Sequence, residues 1–276
     1  MTKNEHVQSI LSDRDRNGGP FWSREDGDIH APNGSSTIDT LHVLGLMEAK
    51  VSRYPEIAAA VNFIMNYQCD DGSFRYGIKS SKLPCMTARI LAALAKVRVK
   101  IDTQLEKSYQ LLLHLQSSDG GWRCNTVKLG KSRSTDASNP GTTLYVLDAF
   151  RFRKTSPKEK KALNRAVDFL LKHWETRKPL GPCEFGIGNR FFQTEFPFFR
   201  YNIFYYTHVL SFYGHAIGDQ RYQAAVKKLA AKISDGNIIL ENPHRAWRSY
   251  DFAKNDKPSK LANRYWREIV KNTGQN

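Results

Sequence analysis

One pattern, met twice, restricts what this chain can fold into. The apolar run Val61–Gln68 leads into Cys69-Asp70-Asp71-Gly72-Ser73-Phe74, and 48 residues later Tyr109–Gln116 leads into Ser117-Ser118-Asp119-Gly120-Gly121-Trp122. Each reads as an apolar helix closed by Gln, three residues, Gly, one residue and an aromatic. Self-similarity at a period of roughly 20–50 residues marks stacked supersecondary units, none of which buries its apolar face alone. Weaker copies flank the pair. Ala225-Val226 and Leu229 precede Lys232 at the Gln position, with Asp235-Gly236 following. Ala166–Leu171 ends at His173-Trp174 without the glycine, and Val7–Leu11 precedes Gly18-Gly19-Pro20-Phe21-Trp22, a stretched first copy.

A second set of helices lies between these. Thr37–Leu44, Thr87–Leu94, Thr143–Phe150, Ile203–Leu210 and Asn263–Val270 start at intervals of 50, 56, 60 and 60 residues. Each carries apolar residues at helical spacing, and Asn139-Pro140-Gly141 and Pro258-Ser259 are helix-start chemistry. The helices before the Gln-Gly turns are rich in Lys, Glu and Gln, as at Lys158-Glu159-Lys160-Lys161, and are expected outside; the second set is more apolar and is expected inside. No alternating β pattern of useful length appears beyond a short extended piece at Asn237–Leu240. The expectation is an all-α fold of about five helical hairpins, with residues 1–276 forming a single domain.

Composition bounds the function classes. Lys and Arg number 42 against 27 Asp and Glu, a net charge of +15, which favours anionic partners such as an acidic membrane surface or a pyrophosphate. No nucleic-acid-binding motif accompanies the charge, so nucleic acid is not the expected partner. No run approaches the roughly 18–20 apolar residues that span a bilayer, and Met1–His6 lacks the apolar core of a signal peptide. The expected location is cytoplasmic, with peripheral contact to an anionic membrane allowed. The four cysteines, Cys69, Cys85, Cys124 and Cys183, form no C-x-x-C pair and are expected as thiols.

The turns Gln68-x3-Gly72-x-Phe74 and Gln116-x3-Gly120-x-Trp122 resemble the QW motifs of squalene-hopene cyclases and related terpenoid cyclases, and the chain from about Glu5 to Lys271 resembles the α/α toroid superfamily that also holds protein prenyltransferase β subunits. The resemblance implies an α/α toroid, a closed or nearly closed double ring, whose inner helices line a central cavity. It also implies that the Gln bonds free backbone groups at a helix N-terminus while the aromatic ring stacks against it. The DxDD acid of class II cyclases is absent. The Asp-x-Cys zinc pattern of prenyltransferases meets Ser138 in Asp136-Ala137-Ser138.

The segment Cys183–His215 is the densest aromatic stretch. Phe196, Phe198, Phe199, Tyr201, Tyr205 and Tyr206, with His208, Arg190 and Arg200, are the candidate substrate-binding residues. Such a wall suits an isoprenoid chain, because aromatic faces steady a carbocation. The alternative is that these rings fill the core. Glu195, Asp136 and Asp39 are the candidate acids, near inner-helix starts, since a carboxyl in an aromatic cavity has a raised pKa. Pairing of Asp136 with Arg133 and of Glu195 with Arg200 is the competing role. Cys85, Cys124 and Cys183 precede inner helices and, with His30 or His208, could complete a tetrahedral zinc site; zinc is the one cofactor considered. Three functions remain open: a prenyltransferase- or terpene-cyclase-like protein binding an isoprenoid or other long apolar molecule, a non-catalytic helical-repeat module for peptide or lipid, and a carbohydrate-active α/α toroid enzyme.

Overall fold

The computed structural model describes residues 2–274. It is mainly helical, and the chain forms two compact units, Met1–His114 and Leu115–Asn276. The first holds α1 (Lys3–Ser12), α2 (Thr37–Leu46), α3 (Pro55–Met65), α4 (Pro84–Lys96) and α5 (Thr103–His114). The second holds α6 (Arg133–Asp136), α7 (Pro140–Phe150), α8 (Pro157–Thr176), α9 (Asn189–Phe192), α10 (Ile203–Leu210), α11 (Gly214–Ile217), α12 (Gln220–Ala230) and α13 (Lys260–Thr273). Three short antiparallel strands follow α12: β1 (Ile233–Ser234), β2 (Asn237–Leu240) and β3 (Lys257–Pro258), paired in that order. No helix among the described residues is long and apolar enough to cross a membrane.

The two kinds of helix expected from the sequence are present. All ten residues of α2 and all eight of α10 are buried, as are all of α7 except Tyr145. A helix with no solvent face must be covered on every side. In the first unit α2 packs on α4 and α3, and α4 on α5; in the second, α7 packs on α8 and α10, and α10 on α12 and α13. The outer helices are one-sided. Helix α8 buries Leu163, Ala166, Val167, Leu170, Leu171 and Trp174 and turns Lys158, Lys160 and Lys161 to water. Its start is fixed by a capping box between Ser156 and Glu159 with Pro157 at the first helical position. Helix α13 departs from the expected inner character, because it buries only Ala262, Asn263, Tyr265 and Ile269 and presents its charged side outward.

The two Gln-Gly-aromatic turns share their main attachments. The Gln68 side-chain amide donates to the Gln104 carbonyl (2.8 Å) and to Ser108 Oγ (2.7 Å) on α5; that of Gln116 donates to the Ala162 carbonyl (2.8 Å) on α8. The Gln therefore feeds a carbonyl of the next outer helix rather than a free N–H group at its start. Gly72 (φ +84°) and Gly120 (φ +95°) lie against the backbones of Lys107 and Arg165, where a Cβ would come within 2.7 Å and 2.6 Å of main-chain atoms. The aromatic residue closes the turn. Phe74 and Trp122 are fully buried, and their backbone N–H groups donate to Thr87 Oγ1 on α4 and Thr143 Oγ1 on α7, each at 3.1 Å. Lys232, at the Gln position of the weaker copy, instead pairs with Glu241 at 2.7 Å, and Asp235-Gly236, both at positive φ, form the β1–β2 turn.

Candidate functional site

The segment leaving α8 builds a concavity in the second unit. Helix α8 ends at Arg177 in the left-handed region (φ +56°). Gly181 then crosses so close to Asn139 that a Cβ would lie 2.7 Å from its Cα, and the Gly181 N–H donates to the Ser134 carbonyl at 2.9 Å. After α9, Thr194 fastens the chain to the strand end: its N–H donates to Glu241 Oε2 at 2.9 Å, and the Glu241 N–H returns a bond to Thr194 Oγ1 at 3.1 Å. These attachments leave a pocket of about 330 Å³ lined by Cys183, Phe185, Arg190, Phe191, Gln193, Glu195, Arg200, Tyr201, Asn202 and Asn242 among others.

Glu195 is the buried acid of this pocket, 2% exposed. Its carboxylate accepts the backbone N–H groups of Phe199 (3.1 Å) and Arg200 (3.0 Å) and the Arg200 Nε–H. Arg200 in turn donates through Nη2 to the Asn242 carbonyl at 2.8 Å. Burial pushes the Glu195 carboxyl up to about 7, against the opposing pull of the Arg200 guanidinium and the two N–H groups. Tyr201 also lines the pocket, and its hydroxyl is anchored behind: the His173 Nε2–H donates to the Lys178 carbonyl (3.0 Å), so Nδ1 is the acceptor for the tyrosine O–H (3.0 Å).

The other aromatic candidates pack in the core. Phe198 stacks on Tyr205 (5.2 Å between centroids, 15°) and on His208 (5.4 Å, 20°), with Phe196, Phe204 and Tyr265 edge-on. Tyr206 stacks on Trp174, and Phe199 on Trp247. His208 donates from Nε2 to Glu268 at 2.9 Å, tying α10 to α13, while its buried Nδ1 has no hydrogen-bond partner among the described residues. The Tyr205 hydroxyl donates to Asp148 at 2.7 Å, and Asp148 also holds Arg151 at 2.7 Å.

Asp136 is half-buried beside α7 and accepts the Gly130 N–H with both carboxylate oxygens at 3.0 Å, which braces the 130–136 loop. Asp39 belongs to the first unit, at the start of α2. It is 1% exposed and accepts the Gly34 N–H (2.7 Å), the Ser36 hydroxyl (2.9 Å) and the Arg89 guanidinium (2.5 Å). Arg89 reaches His30 as well, at 3.3 Å, and burial first, then Arg89, lowers the His30 pKa. Arg89 and Asn242 were not singled out by the sequence, because each meets its carboxylate or guanidinium partner across a long stretch of chain.

Of the three candidate zinc ligands, Cys124 and Cys183 meet thiol to thiol, and that hydrogen bond, with burial, pushes the Cys183 thiol well up. Cys85 belongs to the first unit. A metal needs deprotonated thiolates gathered in threes or fours. Among the described residues no group of three His, Cys, Asp or Glu side chains is placed to hold a metal ion.

The squalene-hopene cyclase C-terminal domain family matches residues 25–221, well over half of the chain. The chain belongs to that family. The α/α toroid is the family's fold, and the alternation of buried and one-sided helices in each unit agrees with it. No curated protein matches the sequence. Among solved structures, the apo type II terpene cyclase MstE from Scytonema is similar over 99% of this chain and 98% of that chain, at 12% identity and a TM-score of 0.33, too loose a likeness to place any residue. Both Gln-Gly-aromatic turns, Gln68–Phe74 and Gln116–Trp122, lie within the matched residues.

Two buried groups, one in the pocket and one in the core, make the stability of the second unit pH-dependent. Burial holds the His208 imidazole down at about 4, so its contribution to stability is present above its unfolded value near 6.5 and is lost as pH falls towards 4. Glu195, raised to about 7, has the opposite sign: its contribution is present below about 4.5 and is lost as pH rises through 7. Each is worth about 3 kcal/mol over its full window. His30 and His173, also lowered by burial, add to the acid loss. Urea unfolding between pH 7 and 4.5 should therefore show stability falling more steeply in E195Q than in the native protein, and less steeply in H208F. Unchanged slopes in both variants would show that neither group titrates with folding.

Proposed function

We propose that this is a terpenoid-cyclase-like protein that takes one end of an isoprenoid or other long apolar molecule into the pocket beside Glu195, with the Glu195 carboxyl as proton donor. The observation that carries the reading is a buried carboxyl, raised to about 7, set in a wall of Phe185, Phe191 and Tyr201. At neutral pH such a group is partly protonated and can give up its proton. Arg200 and the two backbone N–H groups then hold the carboxylate that remains. The aromatic faces steady a developing cation. A volume of 330 Å³ is at the low end of ligand pockets, roughly 300–1,000 Å³, which suits a short isoprenoid unit or the end of a longer chain. Arg190, Gln193 and Asn242 supply polar contacts for a hydroxyl or other head group.

A specific observation favours a second reading, a binding module without turnover: the donors to Glu195 come from its own loop, so the carboxylate already serves as a brace for that loop. Geranylgeraniol separates the two. Calorimetry should show binding by the native protein, and mass analysis of the incubated alcohol should show a rearranged or hydrated product. E195Q should cut that conversion by at least about 100-fold while changing affinity little. Binding without conversion selects the module. Conversion that survives E195Q removes Glu195 from the chemistry, and no binding by either protein defeats both readings.

A further inference from the structure

The two phenylalanines that end α9 face different spaces. Phe191 lines the pocket beside Glu195, whereas Phe192 lines a separate and larger cavity of about 630 Å³ at the C-terminal ends of α8 and α12, together with Trp174, Arg177, Asn189, Lys228 and Lys232. Trp174 and Phe192 meet edge to face at 6.0 Å. The Arg177 guanidinium is 5.7 Å from each ring centroid, and the Lys228 ammonium is 5.8 Å from that of Phe192. Two cations thus converge on one ring. Lys232 is neutralised by Glu241 at 2.7 Å, but among the described residues neither Arg177 nor Lys228 has a carboxylate partner.

The ordinary reason for cations here is the helix dipole. The C-terminal ends of α8 and α12 each present about half a negative charge. Those halves balance one positive charge of the two left after the Lys232–Glu241 pair. Cation–π attraction at a partly exposed ring such as Phe192 offsets only part of the remaining repulsion, at about 0.5–1 kcal/mol. A positive excess therefore stays over an aromatic floor. Arginine presents a fork matched to phosphate oxygens and lysine adds a mobile point charge.

We propose that this cavity is a second binding site, outside the Glu195 pocket, for a phosphate ester whose organic part is flat or apolar: the phosphate bridges Arg177 and Lys228 and the organic part lies on Phe192 and Trp174. A soluble phosphate ester and the phosphate headgroup of an anionic lipid share this chemistry.

The test compares the native protein with R177Q/K228Q and with K158Q/K161Q, which removes the same charge about 25 Å away along α8. All four side chains are exposed, so folding is spared. Calorimetry with phenyl phosphate and inorganic phosphate forms one arm. Flotation with phosphatidylcholine vesicles, with and without phosphatidate, forms the other. For a soluble ester, phenyl phosphate binds more tightly than inorganic phosphate, F192A removes that preference, and R177Q/K228Q weakens binding at least about tenfold while K158Q/K161Q does not. For a headgroup, only the phosphatidate vesicles carry the protein up, and R177Q/K228Q alone stays behind. Equal losses in the two double variants, or no binding to either probe, overturn the proposal.

Discussion

D148A is expected to lower the unfolding free energy of the second unit by about 3–5 kcal/mol, the cost of breaking a buried ion pair from one side. Asp148 is fully buried on α7, and Arg151 Nε at 2.7 Å and the Tyr205 hydroxyl at 2.7 Å both bond to it. Arg151 cannot escape to water to relieve the loss. Its side chain is 8% exposed, and its guanidinium lies over the rings of Phe152 (4.1 Å) and Phe212 (4.3 Å). Without Asp148 the Arg151 guanidinium loses its bonded carboxylate and the Tyr205 hydroxyl its acceptor inside one largely apolar enclosure. Urea unfolding followed by fluorescence would read the change. The expected ordering is informative: D148A worst, Y205F a fraction of it, and D148L/R151M close to native, because a well-packed apolar pair avoids the desolvation cost altogether. A loss below about 1 kcal/mol in D148A would mean that water reaches the pair.

The second large effect is expected at a turn. In G120A the added Cβ would sit 2.6 Å from the Arg165 carbonyl oxygen, and the backbone there has φ +95°. The conformational cost is about 1–2 kcal/mol, and displacing the α8 backbone adds about 1–3 kcal/mol, for a loss of about 2–5 kcal/mol. Gly130 provides the control. It shares the positive φ, at +86°, but nothing lies within 4 Å of its Cβ position. G130A should therefore show the conformational part alone. Urea midpoints for the two variants that coincide would mean that α8 does not rest on Gly120.

Much of the architecture could be read in the chain because it is local. The Gln-Gly-aromatic turns, the alternation of Lys-rich and apolar helices and the short strand at Asn237–Leu240 depend on neighbours within a turn or two, and periodicity reports such neighbours. The outward charged side of α13 escaped because its apolar residues alone suggested an inner helix, although Arg264, Arg267 and Lys271 lie among them. The site was legible in part. Glu195, Arg190, Arg200, Tyr201 and Cys183 do line one pocket, and the Glu195–Arg200 pair was weighed from their spacing. What supports the pocket was not readable: Thr194 finds Glu241 47 residues away, Asp148 finds Tyr205 57 away and Asp39 finds Arg89 50 away. No local pattern encodes such meetings, and an aromatic run looks the same whether its rings face a ligand or one another, as Phe198 and Tyr205 do.

Each repeated turn is a three-way joint. It grips the next outer helix through its Gln and Gly and the following inner helix through its aromatic N–H. In the first joint the inner-helix threonine comes 13 residues after the aromatic, and in the second 21, yet the bond is 3.1 Å in both. Chain can thus be spliced in between aromatic and threonine without moving any strut, whereas one extra residue between Gln and Gly would throw the struts out of alignment. The freedom to diversify lies in those spans, at the mouths of the buried helices.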